Sequence, residues 1–275
     1  MDIVRTIKTQ IQMVKNLSNP LIYTKDVMGF LKDLSEIKMK DGTVLFFRPK
    51  TGDSKVFREI FIEKQYTSLD GRKDSIIVDI GAHIGLFSIY AATRKGNTIE
   101  KIYAFEPLKE NFEVLKKNIH RNKFDGRIIP VNKAIYKVDG KISLFSEPAK
   151  QDLKYHKTSV YSDRNKEQQK VADVDCITLK TMFDEYDIER CDLLKIDCEG
   201  SEYDILLTAD ISTMSKIQEI VLEYHSFTTH SVSDLQDFLV KSGFHVDVYP
   251  DTSKLYARRV LPSARDIPAD DNART

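Results

Sequence analysis

The stretch Ser75–Ser88, reading Ser-Ile-Ile-Val-Asp-Ile-Gly-Ala-His-Ile-Gly-Leu-Phe-Ser, restricts the possible folds of this chain more than any other. Ile76, Ile77 and Val78 form a β-branched run suited to a buried parallel strand, Gly81 and Gly85 interrupt it, and residues 86–92 are good helix formers. The pattern predicts strand, tight turn, helix. Glycine has no Cβ to hold a ligand off the backbone, and the amides that open the following helix point outward. A nucleotide-like cofactor is the natural guest of such a turn.

The flanking sequence extends the alternation. Apolar runs at 102–105, 128–131, 193–196 and 220–223 read as further strands, with helical patterns at 111–120, 179–186, 203–207 and 233–242 between them. Such alternation implies an α/β domain of parallel strands with right-handed crossovers. Residues 244–249 and 255–259 are close enough in sequence to pair as a terminal antiparallel hairpin. Residues 141–145 suggest an added strand, 160–170 a polar insertion, and 174–179 a return to regular structure. From Pro262 the composition is that of a frayed tail.

Upstream, Ile3, Ile7, Ile11, Val14 and Leu17 recur at helical spacing and predict an amphipathic helix ending near Asn19-Pro20. Its apolar face needs a surface to pack on, either the domain, a lid over the substrate or a second copy in a homo-oligomer. A second helix is expected over 25–34 and a hairpin around Asp41-Gly42, and the apolar positions of 53–66 suggest a helix leading into the core. The chain thus divides into an N-terminal helical and hairpin extension (1–70), a ligand-binding domain (71–260) and a tail (261–275).

Lys and Arg total 42 and so do Asp and Glu, so the zero formal charge gives no argument for an obligatory nucleic-acid or anionic-membrane partner. No apolar run is long enough to span a bilayer and no signal-peptide core opens the chain. Cys176, Cys191 and Cys198 form no Cys-x-x-Cys pair and leave one thiol over in any disulfide scheme. That points to a reducing, cytoplasmic setting.

Polar groups fall at the carboxyl ends of all five central strands, where open α/β sheets bind ligands. They are Asp79 with the Gly81 turn, Glu106, Asn132, Asp197 with Glu199, and Glu223 with His225. Glu106 stands about where a carboxylate reaches the ribose of a nucleotide held at the glycine turn. A dinucleotide, and with it an NAD-dependent oxidoreductase, is one reading. However, Gly81 and Gly85 lack the third glycine of the pyrophosphate fingerprint, and no Tyr is followed by Lys four residues later.

Four motifs, Val78-Asp79-Ile80-Gly81-Ala82-His83-Ile84-Gly85, Ala104-Phe105-Glu106-Pro107, Asn132-Lys133-Ala134-Ile135 and Leu194-Lys195-Ile196-Asp197-Cys198-Glu199-Gly200-Ser201-Glu202, occur in the order and spacing of the FkbM-type methyltransferases, which the chain resembles from about Ile76 to Glu223. The resemblance implies a Rossmann-like class I methyltransferase fold, with a mostly parallel seven-stranded sheet ending in an antiparallel hairpin. It implies S-adenosylmethionine as cofactor and a hydroxyl of a sugar, glycan or polyketide-type metabolite as acceptor. Asp79, Gly81 and Gly85 would then hold its methionine end, Glu106 its ribose, and Asn132 to Ile135, Ala134 included, its adenine, with Ala82, His83 and Pro107 also among the cofactor-binding residues. Asp197 would reach both cofactor and acceptor. Cys198 and His83 depart from the commoner residues of the family.

A hydroxyl must lose its proton to act as nucleophile. Asp197, Glu223 and His225 are candidates for the base or for a divalent-metal site, with magnesium an example. The preferred arrangement has His225 as base and Asp197 and Glu199 shaping the acceptor site. The plainer alternative for His225 is a hydrogen-bonded histidine at a strand end, and for His156 a solvated loop residue. A non-catalytic binding protein on the same fold is the remaining option.

Overall fold

In the computed structural model of this 275-residue chain, the described residues are 11–13, 15–66, 69, 71–94, 96–146, 158–160, 168–225 and 230–260. The expected helix from Ile3 lies largely outside them, as do His156 and the tail. Helix α1 (Pro20–Val27) starts at the proline expected to end the preceding helix. Proline suits a first helical position because its missing N–H has no intrahelical partner there. The second helix is accordingly shifted from 25–34, and Gly29 (φ 75°) follows its end.

Strands β1 (Ser35–Lys38) and β2 (Val44–Phe47) pair antiparallel around the Asp41-Gly42 turn. Helix α2 covers only Asp53–Phe57 and passes into a π-helical turn, Arg58–Ile62, so the segment expected to be one helix widens halfway. There follow β3 (Ser75–Ile80), α3 (Leu86–Thr93), β4 (Ile99–Phe105), α4 (Lys109–Arg121) and β5 (Ile128–Val131). A short β6 (Ala134–Ile135) leads to β7 (Gly140–Ser146), β8 (Thr158–Ser159) and β9 (Gln169–Ile177). Helix α5 (Leu179–Glu185), β10 (Leu193–Ile196), α6 (Glu202–Leu207), α7 (Ile211–Ser215), β11 (Glu219–Glu223), α8 (Val232–Lys241), β12 (Phe244–Tyr249) and β13 (Lys254–Arg259) complete the order.

The main sheet has seven strands in the order β12-β13-β11-β10-β3-β4-β5. Strands β11, β10, β3, β4 and β5 are parallel, and β13 is inserted antiparallel between β11 and β12. Strand β3 lies at the centre with Ile77 and Val78 fully buried on opposite faces, which explains its unbroken apolar run. The terminal hairpin is as the sequence predicts. The second sheet, β6-β9-β7-β8, is not. Residues 141–145 belong to it rather than to the main sheet, and β9 begins at Gln169, five residues before the expected return to order, because alternating polar residues face solvent along it.

One apolar cluster packs Met13, Leu17, Phe47 and Phe57 against Ile77, Leu86 and Ile89, so the N-terminal stretch covers one face of the main sheet. Two asparagines of the α4 segment secure it. Asn118 Oδ1 accepts from Phe46 N at 2.7 Å, and Asn122 exchanges hydrogen bonds with both polar groups of the Val44 backbone. Backbone groups of β2 that would otherwise offer an open edge are thereby satisfied. Among the described residues no helix is long and apolar enough to cross a membrane.

Candidate active site

At the carboxyl ends of β3, β4, β10 and β11 lies a cavity of about 390 Å³, a size typical of small-molecule sites. Gly81, Ala82 and His83 line it from the turn after β3, Glu106 and Pro107 from the end of β4, and Ala134 from β6. Asp197 and Glu199 line it after β10, and Glu223 at the end of β11. Residues the sequence assigned to one site are therefore gathered around one space.

Asp79, Gly85, Asn132 and His225 do not line it, and each makes contacts of its own. Asp79 is fully buried: its carboxylate pairs with Lys195 Nζ at 3.0 Å and accepts from Ser88 Oγ at 2.7 Å. Lys195 Nζ also donates to the Gly81 carbonyl at 2.9 Å, so Asp79 is tied to the turn through Lys195. Burial opposes the charge on Lys195, but the carboxylates of Asp79 and Asp197 outweigh it and raise the pKa. A Cβ on Gly85 would lie 2.4 Å from Leu115 Cδ1, so that glycine serves the packing of α4 against the turn. The Asn132 amide donates to the carbonyls of Glu106 and Pro107, both at 2.9 Å, and fixes the chain leaving β4.

Gly81 answers a closer constraint. Its φ is 75°, and a Cβ there would sit 1.9 Å from the Asp197 carbonyl oxygen. The turn after β3 and the loop after β10 are in backbone contact, which brings Asp197 beside the glycine turn. Glu106 is buried and its pKa is raised by burial, although Leu108 N, the Asn111 amide and His83 N all donate to it.

His225 is clamped. Its Nδ1 lies 3.1 Å from Glu202 Oε1 and its Nε2 3.2 Å from Glu199 Oε2. Burial pulls its pKa down, but the hydrogen bonds and charges of the two glutamates more than reverse this and lift it to about 10. The two glutamates thus favour the protonated imidazole, which has no lone pair with which to accept a proton. Glu202, fully buried, also accepts from Cys198 N and Gly200 N and so shapes the whole loop after β10. Glu223 has its pKa raised by burial and by Asp197. Asp197, Glu223 and His225 each present a donor atom within 4.8 Å of the others.

Several residues escaped sequence reasoning. Lys195 and Glu202 lay inside a quoted motif, where spacing alone did not reveal their buried partners. The wall formed by Thr51, Lys55, Glu59, Gln65 and Tyr66 had no local signal, because an N-terminal segment reaches it only through tertiary packing. Burial keeps the Tyr66 phenol pKa well above its usual value, and its ring lies 4.3 Å beneath the Lys254 ammonium, which donates to Gln65 Oε1 at 2.7 Å.

Two observations bear on whether these residues suit S-adenosylmethionine. Among the described residues Glu106 Oε2 accepts from His83 N, where a carboxylate oxygen has room for two hydrogen bonds. His83 Nδ1 is buried with no hydrogen-bond partner among the described residues. An acceptor for ribose hydroxyls and an unmet polar atom beside a bare glycine turn are what such a nucleoside requires, and the residues fit it.

Residues 79–246 match the family described as the methyltransferase FkbM domain. The chain is 27% identical over 231 residues to the AMB antimetabolite synthetase AmbE of Pseudomonas aeruginosa, a match covering 71% of this chain but only 11% of that protein. It is 23% identical to the 31-O-demethyl-FK506 methyltransferase FkbM of Streptomyces tacrolimicus, over 62% of this chain and 74% of the relative. The solved structure of methyltransferase FkbM from Methylobacillus flagellatus aligns with a TM-score of 0.48 at 16% identity, covering 93% of this chain and 60% of that one.

Proposed function

We propose, from the premise that the chain belongs to the FkbM methyltransferase family, that it is an S-adenosylmethionine-dependent O-methyltransferase acting on a hydroxyl of a sugar, glycan or polyketide-type metabolite. The observation that carries this reading is the single cavity lined by both Glu106 and Asp197, with the Gly81 turn beside them. Family membership favours methyl transfer over the dinucleotide-dependent oxidation that the glycine turn also allowed. The name of the Streptomyces relative specifies an O-demethyl substrate, which supports oxygen as the acceptor atom.

S-adenosylmethionine, when bound, supplies a methyl group on a sulfonium, open to in-line displacement. The chain's part is to align the acceptor and exclude water. Glu106 would accept from the cofactor's ribose hydroxyls, Pro107 and Ala134 would flank its adenine, and Gly81 to His83 would bound its methionine end. The acceptor lies against Tyr66, Asp197 and Glu223. Its mixed walls, Lys55, Glu59 and Gln65 with Val56, Ile60 and Leu144, suit a molecule both hydroxylated and partly apolar. Glu223 takes the acceptor proton: it lines the cavity, and burial raises its basicity.

A second reading, in which a divalent cation at Asp197, Glu223 and His225 would replace the proton on His225 Nε2 and its contact with Glu199, is suggested by the convergence of the three residues. Oxygen and imidazole donors suit such an ion, and a carboxylate on the far nitrogen, as Glu202 provides, commonly orients a ligating histidine. Its chemistry there would be to lower the pKa of an acceptor hydroxyl. The three cysteines, which form no disulfide, support a cytoplasmic assignment.

Titration with S-adenosylhomocysteine and with NAD, followed by a screen of sugar and metabolite acceptors for S-adenosylhomocysteine release with and without chelator, tests these statements. Binding of S-adenosylhomocysteine with turnover on a hydroxylated acceptor is expected. Binding of NAD alone, or cofactor binding without turnover on any acceptor, would contradict the reading, and turnover unchanged by chelator would remove the metal.

A further inference from the structure

Arg48, just after β2, lies outside all four motifs, yet its side chain makes four hydrogen bonds beside the cavity. Fully buried Asp53 anchors it, with Asp53 Oδ2 accepting from Arg48 N at 2.9 Å and Nε at 3.2 Å, and Oδ1 from an Nη at 2.9 Å. Held in this fork, the guanidinium donates onward to Asn111 Oδ1 at 2.6 Å and to His83 Nε2 at 2.9 Å.

The directions of these bonds follow from chemistry. A guanidinium only donates, so Asn111 must turn its oxygen to Arg48, which leaves its NH₂ for the Glu106 carboxylate, 3.1 Å from Oε1. By the same rule His83 accepts at Nε2 and carries its proton on Nδ1. The His83 backbone N–H donates to Glu106 Oε2 at 2.8 Å. His83 does this from φ 53°, a left-handed conformation that a non-glycine residue holds only when its surroundings over-determine it. Arg48 on its ring is one such constraint. Each oxygen of Glu106 therefore rests on a residue that Arg48 holds.

We infer that Arg48 is a positioning residue for cofactor recognition, in that the N-terminal extension, through Asn111 and His83, sets the orientation of the Glu106 carboxylate toward the ribose hydroxyls. This rests on the reading of Glu106 as the ribose ligand. It gives the extension a part in cofactor selection in addition to walling the acceptor space.

The test is calorimetric titration of the full chain with two probes, S-adenosylhomocysteine and its 2′-deoxyribose analogue. Arg48→Lys keeps the charge but loses the fork. Because Asp53 would be stranded by a neutral residue, the second variant is the double Arg48→Gln/Asp53→Asn, which leaves no unpaired buried charge. Both variants are expected to weaken S-adenosylhomocysteine about tenfold while the deoxy analogue stays within about twofold, the range for residues that orient a ligand-binding group. The preference for the intact ribose would then shrink, as it would in Glu106→Gln. If Glu106→Gln abolishes the preference but both Arg48 variants keep it, or weaken the two probes equally, the positioning role is overturned and the ribose reading stands. If Glu106→Gln itself keeps the preference, the ribose reading fails and the inference falls with it.

Discussion

Glu202 Oε1 lies 3.1 Å from His225 Nδ1, and the same fully buried carboxylate receives the backbone N–H groups of Cys198 and Gly200. The loop that carries Asp197 and Glu199 is thus wound around one acid, and that acid is neutralised by the histidine after β11. With Glu199 on the other nitrogen, His225 holds two strands' loops together as an imidazolium.

This pairing makes stability pH-dependent. The folded pKa of His225, about 10, stands above its ordinary value of 6.5, so folding favours the protonated form. The stabilisation is full below about pH 6.5 and is lost as pH rises through the folded pKa. Urea unfolding with chelator present is expected to show His225→Gln less stable than the parent at pH 6, with the gap closing steadily toward pH 10. A gap that does not change over that range would refute the imidazolium.

Lys195 and Asp79 form an ion pair buried at both ends. Lys195→Met strands Asp79 and is expected to cost about 3–5 kcal/mol. Adding Asp79→Leu should recover much of that loss in the same denaturation series, because the orphaned charge is gone. Equal instability of single and double variants would show that the pair itself, and not the stranded carboxylate, decides the outcome.

Gly81→Ala places a methyl against the Asp197 carbonyl and is expected to abolish measurable S-adenosylhomocysteine binding. Gly96 has φ 89° with nothing within 4 Å of a Cβ, so Gly96→Ala should cost about 1 kcal/mol from backbone strain alone and leave binding intact. Similar affinities for the two variants would contradict the close approach of the two loops.

Glu223→Gln is expected to lower kcat by about a hundredfold or more while S-adenosylhomocysteine affinity changes by less than about twofold, as for a base acting on the acceptor. The acidic limb of the kcat profile should disappear with it. A variant with unchanged kcat would transfer the proton-accepting role elsewhere.

The main sheet and the strand-end carboxylates were legible because parallel strands buried on both faces read as apolar runs, and ligand groups cluster where those runs stop. Ile76 to Val78 and Leu193 to Ile196 both announce themselves in this way. The second sheet was not legible, since β9 alternates half-exposed and buried residues and pairs with β7 across an insertion. The surroundings of His225 were hidden for a related reason: its position after β11 was visible, but not the two glutamates from the loop after β10 that hold its ring. Arg48 and Tyr66 carry no local pattern, and only the packing of the N-terminal segment on the sheet brings them to the cavity wall.

The most direct test of the central claim is a crystal structure of the chain with S-adenosylhomocysteine bound. Density for the ribose on the Glu106 carboxylate, with the sulfur in the same cavity as Asp197 and Glu223, is the predicted result. A nucleoside seated elsewhere, with Glu106 making no contact to its sugar, would contradict it.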